Sequence, residues 1–381
     1  MVREANAFVL VHKQIFTTPR LDLDIGVSIP VTVGYETYGR LSPAHDNAIL
    51  ICHSFSGTSH AAGAYHPDDE IAGWWDSLIG PGKAFDTDRY FVICADGLCA
   101  VQARDPKVVT TGPASLDPVT GRPYGTRFPQ VTVRDQVRLQ AQLIASLGIQ
   151  RLAAVAGPGN GGFQALEWAV TYPHVPRRVI AVATSHVVPP VYALTACQAA
   201  ARVIEADPAY AGGDYYPAGP RDALARAELL RTSLARSDAW VAQQWARKTA
   251  PGSVHPWADR TGRYAFENEL AEVAARRSQT YDANHFLYTA RSAILHDIGY
   301  GNGGLDGAAR QIEAEVLMLA ISTDLQFPAA HAQELVDAIN LAGGRARLDL
   351  IHSVNGHAAA ITEATLLAEP IVAFLNRNHL H

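Results

Sequence analysis

Residues 151–168, RLAAVAGPGNGGFQALEW, read as a buried strand, a glycine-rich turn and the start of a helix. A strand that ends in such a turn can hold one side chain up at its tip as a nucleophile, in the pattern G-x-S-x-G. Here the turn reads Gly157-Pro158-Gly159-Asn160-Gly161, with glycine where a hydroxyl would attack a carbonyl carbon. Without a side chain at that tip no acyl-enzyme forms there, so any chemistry belongs to the neighbouring groups or to the substrate. Two such groups follow in chain order. EVLMLAISTDLQFP places Asp324 just past an apolar run, and LDLIHSVNGHAAAI places His357 between a later run and a final helix. A carboxylate bonded to one ring nitrogen fixes the imidazole tautomer and leaves the other nitrogen as a base. Two backbone donors complete the set: the amide of Asn160, directly after the tip, and the amide of Phe55 in HSFSG, as an oxyanion hole. Backbone donors survive any side-chain change.

The elements that must position these groups are legible from apolar periodicity. From Phe8 to about Tyr38 the alternation in VSIPVTVGYETYG predicts antiparallel strands. Apolar runs at 48–52, 90–95, 152–156, 179–183, 316–321 and 346–351 predict buried strands. Several are separated by helical segments such as VRDQVRLQAQLIASLGI. Strands alternating with helices specify an α/β fold, a mostly parallel sheet flanked by helices. Between about His186 and Gly304 the strand signal stops and the text turns rich in Ala, Arg, Glu and Leu. The expected organisation is therefore a core from 1–185 and 305–381 with a helical lid insertion at 186–304, because an insertion after a strand's carboxyl end sits over the ligand crevice. A dimerisation arm is a second reading of the same helices.

Composition narrows the function classes. The chain has 381 residues, 48% of them hydrophobic and 18% charged, which suits a packed globular domain. The net charge of −6 is spread without a basic block, so no nucleic-acid partner is expected. No stretch reaches the roughly 18 apolar residues of a membrane span, and MVREANAFVLVHKQIF lacks a leader-like run. The four cysteines, Cys52, Cys94, Cys99 and Cys197, have neither C-x-x-C spacing nor disulfide-scaffold density, which points to reduced thiols and a cytoplasmic protein. Gly157, Gly159 and Gly162 also satisfy G-x-G-x-x-G, but the next strand ends VIAVATSH without the carboxylate that would hold a ribose. No Lys-Ser or Lys-Thr follows to make a phosphate loop. No metal site is expected: H-x-x-x-H pairing is absent, His53 and His60 have no acidic neighbour before Asp68, and His379 and His381 form a tail.

Longer motifs carry a resemblance. They are GWWDSLIGPGKAFDTDRYFVIC at 73–94, TGPASLDPVTGRPYG at 111–125, FPQVTVRDQVRLQ at 128–140, GGFQALEWA at 161–169, ADPAYAGGDYY at 206–216, YDANHFLY at 281–288 and LHDIG at 295–299. With these the chain resembles the homoserine O-acetyltransferase family of α/β-hydrolases over nearly its whole length. The resemblance implies an α/β-hydrolase fold, a helical lid that often forms a homodimer, and ping-pong acetyl transfer from acetyl-CoA through a serine. Acetyl-CoA or another acyl-CoA is then a substrate, and no cofactor is implied. The family's acid and base map onto Asp324 and His357, and its serine onto Gly159. The family's homoserine contacts, an aspartate after the histidine and an arginine and a tyrosine in the lid, fall at Ala358, Glu228 and Ala235. ATSHVVPPVYA places His186, Pro189, Pro190 and Tyr192 near the same pocket. The expected partner is a small molecule in a rebuilt acceptor site.

Three readings follow. The leading one is an enzyme that uses His357 and Asp324 as a general base without covalent catalysis, on a carbonyl, ester or thioester, by hydrolysis, direct acyl transfer or lyase-type chemistry. The others are a non-catalytic ligand-binding descendant and an acyltransferase inactivated by the glycine. Loss of the serine alone leaves a triad enzyme with only about 10³–10⁴ over water. The joint loss of the homoserine contacts favours divergence over a single knockout.

Overall fold

The computed structural model describes residues 9–377. Residues 1–8 of the segment read for a leader, and the tail histidines His379 and His381, lie outside the described residues. In chain order the main elements are β1 (Gln14–Asp22), β2 (Ser28–Tyr38), β3 (Ala48–Ile51), β4 (Phe91–Ala95), α1 (Val133–Ser146), β5 (Ala154–Pro158), α2 (Asn160–Thr171) and β6 (Arg178–Val182). A helical stretch follows, with α3 (Ala200–Glu205), α4 (Arg221–Leu234), α5 (Asp238–Gln244), α6 (Ala265–Arg277) and α7 (Ala283–Ile294). Then come α8 (Gly304–Gln311), β7 (Glu315–Ile321), α9 (Ala329–Leu341), β8 (Ala346–Ile351), α10 (Ala359–Thr362) and α11 (Ala368–Leu375).

Eight strands form one sheet in the order β1-β2-β4-β3-β5-β6-β7-β8. The β1–β2 and β2–β4 pairs are antiparallel, and every other pair is parallel. This matches the predicted mostly parallel sheet and its antiparallel start. The apolar runs fall on the strands with small shifts. Leu152, for instance, makes only an isolated bridge to Pro176, and the strand proper begins at Ala154.

Alternation along the strands explains the core. In β3, Ile49 and Ile51 face one side and pack with Val92, Ile180, Leu317, Trp75, Leu367 and Phe374. Leu50 faces the other side with Val155, Val179, Met318, Trp168 and Leu335. Each face is covered by helices, so consecutive residues are buried on opposite sides, as parallel strands require. Helix starts are set locally. Thr132 and Asp135 form a reciprocal capping box at α1, and the Asp282 carboxylate accepts the amide of His285 at α7.

The register aligns the strand ends that matter. Ile51 pairs with Ala156, Pro158 with Val182, Val182 with Leu319, and Ile321 with Ile351. The turns after β3, β5, β7 and β8 therefore leave from one edge of the sheet. The helical stretch between β6 and β7 has its own apolar cluster, with Tyr192, Leu224, Ala227, Tyr281 and Phe286 joined by Phe55, Phe163 and Phe327 from around the strand ends.

Candidate active site

The turn after β5 is made by glycines for two different reasons. A Cβ at Gly157 would stand 2.5 Å from Gly161 backbone atoms and 2.6 Å from the Cys52 carbonyl oxygen, and one at Gly161 would stand 2.0 Å from that same oxygen. These positions are close backbone approaches that admit no side chain. Gly159 differs. Its φ of 55° and ψ of −117° strain an L-residue, yet a Cβ there would meet only the His357 ring, 3.2 Å from Nε2 and 3.3 Å from Cε1. Its amide donates to the Val182 carbonyl and its carbonyl accepts from Thr184 Oγ1, so the bend is fixed from both sides.

Opposite this tip, His357 Nδ1 lies 2.8 Å from Asp324 Oδ2. Asp324 follows β7, its side chain is wholly buried, and its other oxygen accepts the amides of Gln326 at 2.7 Å and Phe327 at 3.0 Å. With those two donors and the ring all turned on it, the carboxylate has one orientation, which leaves His357 Nε2 facing the tip. The loop that carries His357 is tied to the helical stretch. Gly356 has φ of 67° and packs against the Ala235 carbonyl, which also accepts the amide of Ala358 at 3.1 Å, and Arg236 donates to Asn355 Oδ1.

A cavity of about 290 Å³ opens between the tip and the helices. It is lined by Phe55, Pro158, Asn160 and His357 on the core side and by Tyr192, Glu228, Arg231, Ala235, Arg277 and Tyr281 from the helical stretch. Among the described residues, the amides of Phe55 and Asn160 donate no hydrogen bond, which leaves both as donors for a ligand oxygen. Of the residues singled out by sequence, the structure brings Phe55, Asn160, Tyr192, Glu228, Ala235, His357 and Ala358 to this one cavity, with Gly159 and Asp324 behind it. His186 is a correction. It follows β6 as expected, but its Nδ1 lies 3.3 Å from the His331 carbonyl and its Nε2 3.8 Å from Glu334, so it packs against α9 and lines no part of the cavity. Burial holds its pKa below the usual histidine value although Glu334 draws it up. Pro189 and Pro190 also stay out of the wall.

Sequence reasoning named Glu228 in the helical wall but missed its two arginines, Arg231 and Arg277. Arg231 is 9% exposed, its Nε 3.5 Å from Glu228 Oε2, and Arg277 approaches Glu228 Oε1 at 3.6 Å. Residues 224, 228 and 231 recur on one helical face, so a signal existed: two charges in register with a buried leucine. Burial raises the Glu228 carboxyl above its ordinary range, with both arginines pulling it back. The Arg231 guanidinium stays protonated: burial acts against its charge, but Tyr192 and Glu228 outweigh it. Among the described residues no group of three His, Cys, Asp or Glu side chains is placed to hold a metal, and no single helix is long and apolar enough to cross a membrane.

Comparison with known proteins places this geometry. No protein-family profile matches the chain. It is 41% identical over 350 residues to a homoserine O-acetyltransferase of Deferribacter desulfuricans, covering 91% of this chain and 90% of that protein. It is 42% identical over 347 residues to that of Symbiobacterium thermophilum, covering 91% and 88%. Among solved structures, homoserine O-acetyltransferase from Bacillus anthracis superposes with a TM-score of 0.93 at 40% identity, over 97% of this chain and 99% of that one. Esterase E22 superposes with a TM-score of 0.90 at 36% identity, over 96% and 100%. Identity at this level over about nine-tenths of both chains means that the chain belongs to the homoserine O-acetyltransferase family of α/β-hydrolase enzymes.

Proposed function

We propose that this chain is an acyl-transfer or hydrolytic enzyme that works without a covalent acyl-serine, with His357 and Asp324 as its general base. The observation that carries the reading is the placement of His357 Nε2, held by the 2.8 Å bond to Asp324 and 3.2 Å from where a Cβ at 159 would stand. The space left by Gly159 takes a water or the acceptor hydroxyl of the substrate. His357 Nε2 removes its proton as the oxygen attacks the carbonyl carbon of an ester or thioester. The carbonyl π pair moves onto oxygen, which is received by the amides of Phe55 and Asn160. On collapse the bond to the leaving oxygen or sulfur breaks, and the proton on Nε2 passes to the leaving group. An acyl-CoA, acetyl-CoA among them, is the thioester that the family suggests. The rebuilt wall at Glu228, Ala235 and Ala358 argues for an acceptor other than homoserine.

The helices between β6 and β7 act as the lid in this reading, since they supply Tyr192, Glu228, Arg231, Ala235, Arg277 and Tyr281 to the cavity wall. Val191 and Leu194, both more than half exposed on that stretch, are where a second copy would dock to form a homodimer. Four buried, unpaired cysteines fit a cytoplasmic setting.

A second reading is favoured by the intact bend at Gly159, which would accept a serine without backbone collision: an acyltransferase inactivated at one position. Rapid mixing with an activated acetyl ester separates the two. The native chain should release product linearly with no burst, while Gly159→Ser should give a burst of one acyl group per chain. A burst from the native chain overturns the non-covalent route, and absent native turnover with a full burst from Gly159→Ser favours the inactivated enzyme.

A further inference from the structure

Phe55 and Asn160, which line the cavity and whose amides donate no hydrogen bond among the described residues, are both held by one buried arginine of the helical wall. The Arg231 guanidinium carbon lies 3.4 Å from the centroid of the Phe55 ring, and Phe55 packs edge-on against Phe286 at 5.2 Å. Arg231 Nη1 donates to the Tyr192 hydroxyl at 3.4 Å and to the Ala196 carbonyl at 3.3 Å, and Tyr192 in turn donates to Asn160 Oδ1 at 2.9 Å. Glu228 backs the arginine from the preceding turn of α4.

We propose that Arg231 is a positioning residue for the oxyanion hole, fixing Phe55 through its ring and Asn160 through the Tyr192 hydroxyl. The role rests on the catalytic reading above and adds a link from the lid to the reacting centre that neither the base nor the glycine requires. A guanidinium suits the task because its flat face stacks on a ring while its edge donates in plane. The donors on the two sides of the hole come from loops after different strands, and no backbone bond joins Phe55 to Asn160. A single cation that touches one ring and, through one hydroxyl, the other residue's side chain sets their separation. Preorganised donors act only when they already stand where the charge develops. The lid therefore assembles the hole as well as enclosing it, and a lid displaced from α2 would leave the two amides unaligned.

The test compares the native chain with Arg231→Met, Arg231→Lys, Tyr192→Phe and the Arg231→Met/Tyr192→Phe double variant. Each is titrated with a monoaryl methylphosphonate, a tetrahedral anion, while the amide signals of Phe55 and Asn160 are followed in protein labelled with nitrogen-15 at Phe and Asn. In the native chain both amides should shift together on one binding curve. Tyr192→Phe should remove the Asn160 response and keep that of Phe55, Arg231→Met should weaken both, and Arg231→Lys should restore the charge without the ring stack and rescue only part. In ester turnover the single variants should lose roughly tenfold in kcat with KM unchanged, less than the about 10²–10³ for deleting a donor outright, and the double should lose no more than Arg231→Met. Full native responses in both Tyr192→Phe and Arg231→Lys, a rise in KM at constant kcat, or additive losses in the double overturn the proposal. Should Arg231→Met not fold, Tyr192→Phe and Arg231→Lys decide alone. Intact amide responses in a native chain without turnover would defeat the catalytic reading and leave this link standing.

Discussion

Adding one methyl group at Gly159 separates the use of the space beside His357 from the shape of the turn. The Cβ of Gly159→Ala would stand 3.2 Å from His357 Nε2 and touch no backbone, so the ring must give by a few tenths of an ångström. The backbone cost is that of an L-residue at φ 55°, about 1–3 kcal/mol for a strained position. That is small enough for the variant to fold. Gly157→Ala is the control, because its Cβ meets backbone at 2.5 and 2.6 Å where nothing flexible can yield, and it should cost more than Gly159→Ala. If the attacking oxygen sits between position 159 and Nε2, the methyl displaces it, and turnover should fall by the whole share of the base, about 10²–10⁴. Denaturant unfolding gives the stability difference, and thioester hydrolysis followed by free-thiol release gives the rate. A folded Gly159→Ala with native turnover would refute the idea that this space holds the attacking group.

Two further outcomes follow. Asp324→Asn keeps an oxygen for the amides of Gln326 and Phe327 but presents an NH₂ to His357 Nδ1, so the tautomer reverses and Nε2 carries the proton; kcat should fall by up to about 10⁴ with near-native unfolding, and a variant retaining most of its turnover would remove Asp324 from the mechanism. His296 is buried against Phe163 with its Nδ1 unpartnered, and burial takes its pKa down from 6.5 to about 3. The folded state then binds fewer protons than the unfolded one between those values, so this residue's share of stability is whole above pH 6.5 and falls by about 1.4 kcal/mol per pH unit on acidification toward pH 3. His296→Gln should make the slope of denaturant stability against pH shallower in that window, and an unchanged slope would contradict the assignment.

The sequence made the sheet and the tip legible because both rest on local signals. Apolar runs became strands, 346–351 at the predicted residues, although that strand lies at the sheet edge and is buried only at Ile351 because one side has no neighbouring strand; the strand-turn-helix around Gly159 needs only its own glycines. The Asp324–His357 pair was readable because chain order and strand ends fix where such groups emerge. His186 failed on the same reasoning: a position just past a strand end does not say whether the side chain turns to the crevice or, as here, back onto α9. Arg231 was missed for the opposite reason: its register with Leu224 and Glu228 marks a helical face, but its meaning lies in the approach of α4 to Phe55 and Tyr192, a contact between distant segments that periodicity alone does not encode.

The most direct trial of the account is steady-state turnover of an acetyl thioester by the native chain and by His357→Gln, with intact-mass spectra taken during the reaction. Turnover by the native chain with no acyl adduct is expected, with a fall of about 10²–10⁴ in the variant. Undiminished turnover in His357→Gln, or an acyl group carried on the native chain, would contradict it.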